Sequence, residues 1–108
     1  MTFKKAKNVN GTHFQGSIET TLAELTRKFG PPHIEEPSEF DKVGYEWMLE
    51  FSDGTVATIY DWKRYTKQPL EPNEKFEFHI GGYTNMAVKY VNHVLQDEKA
   101  WHPVCYVA

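Results

Sequence analysis

The chain has one cysteine, no long apolar run and no large excess of either charge. Because Cys105 is the single cysteine, an internal disulfide framework and a cysteine-built zinc site are excluded, and a reducing compartment is expected. No stretch approaches the ~18 consecutive apolar residues of a membrane span, and the first residues lack the apolar segment of a signal peptide. We therefore expect a soluble protein that is neither exported nor bound to a membrane.

The charge balance says little about a partner. Twelve basic and fifteen acidic residues give a net charge of −3, which has the wrong sign for a surface that binds duplex nucleic acid. It is also too small for a strong acidic mimic of nucleic acid. We expect no duplex nucleic acid among the partners.

The composition is that of a globular protein with a packed core. Of the 108 residues, 40% are hydrophobic and 15% are aromatic, and a chain of this length forms one domain. We expect a single domain over residues 1–108. Within it, residues 1–10 are predicted to be a loosely held N-terminal arm, and residues 97–108 form a C-terminal tail.

Two helices are predicted. The first is capped by Ser17 and ends at Gly30, directly before two prolines, and its apolar residues recur at helical spacing. The second covers residues 84–96. The apolar residues that define the two stripes are Ile18, Leu22, Leu25 and Phe29 in the first helix, and Ala87, Tyr90, Val91, Val94 and Leu95 in the second.

The centre of the chain predicts a β-hairpin. Residues 42–51 and 55–62 alternate between apolar and polar and flank the sequence SDG, and Asp-Gly between two such runs strongly favours a hairpin. A loop of two or four residues pairs Phe51 with Val56. The hairpin, a third strand and the two helices predict an α+β fold with an antiparallel sheet of three or four strands, although the strand order stays open.

The predicted register divides the hairpin into two faces. Trp47 lies opposite Tyr60, in a core face that also receives Trp62. On the other face Glu46 lies opposite Asp61, and two carboxylates side by side destabilise a sheet unless a cation, a metal or a ligand compensates them. The alternative is a solvated face whose exposed ion pairs contribute little.

The third strand supplies a candidate partner for these acids. In EKFEFHI, residues 74–80, the aromatic positions alternate with polar ones, so His79 is predicted on the polar face beside Glu46 and Asp61. These three residues resemble a metal-ligand set by type, but any polar sheet face can be interpreted in this way. We therefore assign no metal, no cofactor and no catalytic residue.

The stretch HIGGYTN raises a second kind of site. Gly81 and Gly82 come directly before a predicted helix, where small residues and free backbone N–H groups can hold an anion. The alternative is that both glycines serve a tight strand-to-helix turn. We predict a ligand site that joins this turn to the polar face and to nearby cations and rings, formed by Lys42, Glu46, Tyr60, Asp61, Trp62, Lys63, Arg64, His79, Gly81 and Gly82.

A longer motif string carries a family resemblance. DKVGYEWMLEFSDGTVATIYDWK at residues 41–63, with FHIGG downstream and FGPP upstream, resembles small uncharacterised proteins encoded by bacteriophages and prophages. The resemblance covers about residues 16–95. It implies a setting in the host cytoplasm, where proteins of this kind often interfere with host defence by blocking a host protein or by sequestering a nucleotide signal.

The residues and the resemblance together leave three functions open. The first is a non-enzymatic accessory protein of phage origin that sequesters a small anionic, nucleotide-like ligand, with aromatic rings stacking its base. The second is a protein-binding inhibitor of a host defence enzyme. A small metal-assisted hydrolase is third. A homo-oligomer is compatible with each of the three.

Overall fold

The computed structural model describes residues 2–35, 44–62 and 70–96. These residues form six strands and two helices, which confirms the predicted α+β class. The strands are β1 Phe3–Lys5, β2 His13–Thr21, β3 Ile34–Glu35, β4 Tyr45–Phe51, β5 Val56–Tyr60 and β6 Lys75–Gly82, and the helices are α1 Leu22–Phe29 and α2 Met86–Gln96.

The sheet is antiparallel at every pairing. Five strands follow the order β1-β4-β5-β6-β2, and the short β3 pairs with β4 beyond the end of β1. The meander β4-β5-β6 contains the predicted hairpin and third strand. The sheet is wider than the three or four strands predicted because the N-terminal third of the chain contributes β1 and β2.

The first helix is shorter than predicted because its first turn is a strand. Residues 17–21, predicted as the first helical turn, belong to β2 and pair with β6. The helix begins one residue after Thr21, whose Oγ1 accepts a hydrogen bond from the N–H of Glu24 at 3.0 Å. Ile18 lies opposite Phe78 in the sheet, so the apolar side chain that suggested helical spacing is packed by β pairing instead. The predicted end at Gly30 is correct, with a positive φ of 85°.

The predicted N-terminal arm is also wrong for residues 3–5, which form an edge strand. Phe3 lies opposite Phe51, is 7% exposed, and has its ring 5.4 Å from the ring of Phe29 and 5.9 Å from that of Phe51. A large aromatic side chain buried this deeply contributes ~1.5–3 kcal/mol to stability. The segment is therefore part of the domain core.

The hairpin between β4 and β5 is confirmed, but its loop has three residues rather than two or four. The N–H of Phe51 donates to the carbonyl of Thr55 at 2.8 Å, and the N–H of Gly54 donates to the carbonyl of Phe51 at 2.9 Å. Gly54 has a φ of 91°, the left-handed conformation that a three-residue loop with a bulge requires. As a result Val56 lies opposite Glu50, one residue from the predicted partner.

The core lies on one face of the sheet, between the strands and both helices. Trp47, Ile59 and Ile80 form a row across three strands and are fully buried. The indole N–H of Trp47 donates to the carbonyl of Gly30 at 2.9 Å, which ties the end of α1 to β4. The predicted stripe of α2 faces this core: Ala87, Val91 and Val94 are fully buried, while Tyr90 and Leu95 pack against its margin.

A histidine completes the edge of β4 between its two short neighbours. The N–H of Met48 donates to Nδ1 of His33 at 2.8 Å, and the N–H of His33 donates to the carbonyl of Glu46 at 2.8 Å. Because Nδ1 accepts this bond, the imidazole must be unprotonated there. Burial, with a smaller contribution from the charge of Lys5, lowers the pKa of His33 from its ordinary value.

Candidate functional site

The loop length decides which side chains reach the face of the sheet that the two helices leave uncovered. A shift of one residue in register moves every side chain of a strand to the other face. Tyr60 lies opposite Glu46, not opposite Trp47, and Trp47 lies opposite Ile59. The prediction that Tyr60 is a core partner of Trp47 is therefore wrong, and we call the face that carries Tyr60 the open face.

Asp61 was predicted on the polar face, but in the structure it is fully buried. Its Oδ1 accepts hydrogen bonds from the backbone N–H groups of Gly44 and Tyr45, at 2.8 and 2.7 Å. The predicted side-by-side pair of Glu46 and Asp61 is therefore wrong. Asp61 holds the start of β4 to the end of β5, and the negative charge of its carboxylate acts on Glu46.

Three aromatic side chains meet on the open face around a histidine, and we call Phe14, Tyr60, Trp62 and His79 the ring cluster. The ring of His79 lies 4.7 Å from Phe14, 5.7 Å from Tyr60 and 6.1 Å from Trp62, measured between centroids. The planes of His79 and Trp62 differ by only 25°. Phe14 is 58% exposed and Trp62 is 36% exposed, so the cluster presents apolar ring faces to solvent.

The position of Trp62 corrects the predicted core. Trp62 was expected on the aromatic core face of the hairpin, but its ring lies 6.1 Å from that of Tyr60, with the ring cluster. The same one-residue shift that turned Tyr60 outward accounts for this position. The structure brings His79 and Glu46 to one face as predicted, in a row with Tyr60 between them.

A shallow depression of about 230 Å³ adjoins the ring cluster. Gly81 forms part of its floor: a Cβ there would lie 2.5 Å from Oγ1 of Thr58 and 3.5 Å from Cε1 of Tyr60. The site therefore depends on the missing side chain at Gly81. The residues that line the depression are Thr12, His13, Glu46, Thr58, Tyr60, Trp62 and Gly81.

Gly82 serves the other face of the sheet. A Cβ at Gly82 would lie 2.6 Å from Cβ of Ala87 and 3.0 Å from the carbonyl oxygen of Val56, so this glycine lets α2 pack closely on the sheet. Both glycines lie within β6, and neither has a positive φ. The turn interpretation is therefore wrong for both of them, because each is required for space and not for backbone conformation.

The predicted anion cradle at the start of α2 does not join the ring cluster. Helix α2 packs on the core face, whereas His79 lies on the open face. The first amides of the helix also have partners in the chain. The N–H of Met86 donates to Oγ1 of Thr84, and the N–H of Ala87 donates to the backbone carbonyl of Thr84. The prediction that His79, both glycines and the helix start converge on one site is therefore wrong for Gly82 and the helix start, whereas Gly81 does lie beside the ring cluster.

Glu46 is the charged group of the depression. Its side chain is half-buried and, within residues 2–35, 44–62 and 70–96, has no hydrogen bond or ion pair. Burial, and secondarily the charge of Asp61, raise the pKa of Glu46 above its ordinary value. A carboxylate held in an unfavourable position beside a depression is a frequent feature of functional sites.

Three predicted site residues, Lys42, Lys63 and Arg64, lie outside the described residues, as does the tail at 97–108. Within the described part of the chain, no group of three or more histidine, cysteine or acidic residues is arranged to hold a metal ion. No helix there has the length and apolar character needed to cross a membrane.

Sequence reasoning missed Phe14 and Thr58. Phe14 lies outside the two predicted helices and the three predicted strands, and Thr58 belongs to the hairpin strand whose register was predicted one residue out. Alternation along residues 13–21 would not have placed Phe14 correctly, because it puts Phe14 on the same face as Ile18, which lies opposite Phe78 in the core. A shift of register between Phe14 and Gly16 moves Phe14 opposite Gly81 and beside His79. Neither a scan against protein-family models nor a search of curated proteins found a match for this chain.

Proposed function

We propose that this protein is a non-enzymatic binding protein that holds the planar base of a nucleotide-like ligand on its ring cluster. The phage-like motif string supplies the setting, in which such a protein counters host defence by sequestering the ligand in the host cytoplasm. The ring cluster carries the proposal, since it exposes aromatic surface on the face that the two helices leave uncovered.

The energetic argument concerns the exposed rings. Phe14 and Trp62 leave large apolar surface in water, which is unfavourable unless a partner covers it. Stacking of a base on an aromatic side chain contributes about 1–3 kcal/mol per base. The near-parallel planes of His79 and Trp62 suit a flat ligand, because a base offers a π face of similar size.

The depression sets the scale of the ligand. Its volume of about 230 Å³ lies below the roughly 300–1,000 Å³ of pockets for drug-sized ligands, so it suits one ring system. The sugar and phosphate of a nucleotide would lie outside it. Lys42, Lys63 and Arg64, which the sequence analysis named as cations of the ligand site, follow β3 or β5 in the chain, and in this proposal they bind the phosphate.

The test is calorimetric titration with linear and cyclic nucleotides. Phe14→Ala and His79→Ala should each weaken binding by about 1–3 kcal/mol, which is roughly 5- to 150-fold. Tyr83→Ala is the matched control, because Tyr83 is 50% exposed and lies outside the ring cluster. Binding that is insensitive to both cluster variants would place the ligand elsewhere and contradict the proposal.

The alternative is a protein-binding inhibitor of a host defence enzyme. The same exposed rings favour it, because Phe14 and Trp62 are the residue types that anchor protein interfaces. If the unmutated protein binds no nucleotide of the panel, and a host protein is recovered in a stoichiometric complex that Phe14→Ala disrupts, the alternative replaces the proposal.

A further inference from the structure

The Glu46 carboxylate indicates which edge a bound base would present. Glu46 lines the depression, and its neighbour across the strands is Tyr60, a member of the ring cluster. A planar ligand that lies on the cluster and enters the depression therefore brings its edge to Glu46. That edge must match the carboxylate of Glu46. An ionised carboxylate has no hydrogen-bond donor and acts only as an acceptor.

We propose, on the premise of the nucleotide-binding function above, that the ligand carries a guanine-type base whose two adjacent N–H donors pair with the Glu46 carboxylate. The two oxygens of a carboxylate accept a pair of parallel hydrogen bonds, and such charge-assisted pairs are among the strongest in proteins. The N1–H and the N2 amino group of guanine form a donor pair of this kind.

The other bases fit this carboxylate less well. The corresponding edges of adenine and cytosine each pair one amino donor with a ring nitrogen that carries a lone pair, so one carboxylate oxygen would face an acceptor. Uracil has a single N–H between two carbonyl groups. Each of these bases therefore leaves at least one oxygen of the half-buried carboxylate unsatisfied, which is costly.

The surroundings of Glu46 support a donor-rich ligand. In the described part of the chain no cation compensates this carboxylate, and the nearby Asp61 adds negative charge. Two N–H donors from the ligand would supply the missing hydrogen bonds without a formal positive charge. The hydroxyl of Thr58 lies at the floor of the same depression, beside Gly81.

Titration with nucleosides tests the proposal without the contribution of phosphate. Guanosine should bind most tightly. Inosine, which lacks the N2 amino group, should bind roughly 10- to 100-fold more weakly, as expected for the loss of one charge-assisted hydrogen bond. Adenosine should be weaker than inosine.

The variant Glu46→Gln should reverse the preference. A carboxamide offers one acceptor and one donor, which suits the edge of adenine, so the variant should lose affinity for guanosine and gain it for adenosine. Glu50→Gln is the matched control, because Glu50 occupies an alternate position of β4 on the same face and does not line the depression. It should leave the preference for guanosine unchanged.

The outcomes separate this inference from the proposed function. If adenosine binds as tightly as guanosine, and Phe14→Ala weakens both, the guanine inference fails while the base-stacking function stands. If no nucleoside or nucleotide binds but a quaternary ammonium compound such as choline does, both fail. Rings around a carboxylate would then form a cation site.

Discussion

Replacement of Asp61 by alanine tests the strand register on which the site depends. In the structure Asp61 is fully buried, and its Oδ1 accepts two backbone N–H bonds, at 2.8 Å from Gly44 and 2.7 Å from Tyr45. Hydrogen bonds to a charged group contribute ~1.5–3 kcal/mol each, and their loss leaves two buried N–H groups without an acceptor. Because the two bonds share one oxygen and do not add fully, we expect Asp61→Ala to cost about 3–5 kcal/mol.

That loss is a large share of the ~5–15 kcal/mol by which a domain of this kind is stable. It should be measured by urea unfolding, where a slope of ~2 kcal/mol per molar converts it to a shift of about 2 M in the midpoint. Asp61→Asn keeps an acceptor oxygen and should cost less. Glu77→Ala, which removes an exposed carboxylate from β6, is the matched control and should leave the midpoint nearly unchanged.

The same experiment distinguishes the two registers. If the register predicted from sequence were correct, Asp61 would lie on the polar face and Tyr60 in the core. Asp61→Ala would then cost less than about 1 kcal/mol, while Tyr60→Ala would cost ~3–5 kcal/mol, the usual loss for a large aromatic core residue. That pair of results would refute the buried role of Asp61 and the open face described above.

Three further predictions concern stability. Gly82→Ala should lower the free energy of unfolding by ~1–3 kcal/mol, because the new Cβ meets Ala87 at 2.6 Å; an unchanged urea midpoint would show that α2 does not pack against this position. The lowered pKa of His33 means that the folded state binds a proton less readily than the unfolded state, so the wild type should lose stability as the pH falls below about 6.5. Urea unfolding at pH 7.5 and 5.5 should show a smaller loss of stability for His33→Gln than for the wild type. An equal loss would contradict the role of Nδ1 as an acceptor from Met48. The raised pKa of Glu46 has the opposite effect, because its contribution to the stability of the folded state is present at low pH and is lost as the pH rises through the folded-state pKa. Glu46→Gln should therefore be more stable than the wild type at pH 7, and this difference in urea midpoint should shrink toward pH 4. A variant that is less stable at pH 7 would contradict the absence of a compensating partner for the carboxylate.

The local part of the fold could be predicted because its signals lie within a few residues of one another. Asp-Gly between alternating runs specified the hairpin, and Gly30 before two prolines specified where α1 ends. The stripe of α2 was correct for the same reason, since its period of 3.6 residues matches the face that contacts the core.

The errors arose where a local pattern has two solutions. Ile18 and Leu22 are spaced for a helix, but Ile18 also fits the alternation of a strand, and pairing with β6 decided between them. Phe3 was assigned to a loosely held arm because its partners, Phe29 and Phe51, lie far away in the chain. Contacts of this kind have no signature in the neighbouring sequence.

The sequence by itself determined the fold class, the hairpin and the residue types available for a site. Tertiary structure decided where those residues lie, because a loop of three residues instead of two or four moves β5 by one position against β4. That single step buried Asp61 and turned Tyr60 and Trp62 toward His79. Phe14 joined them only through the pairing of β2 with β6, so the ring cluster is a property of the assembled sheet and not of any one segment.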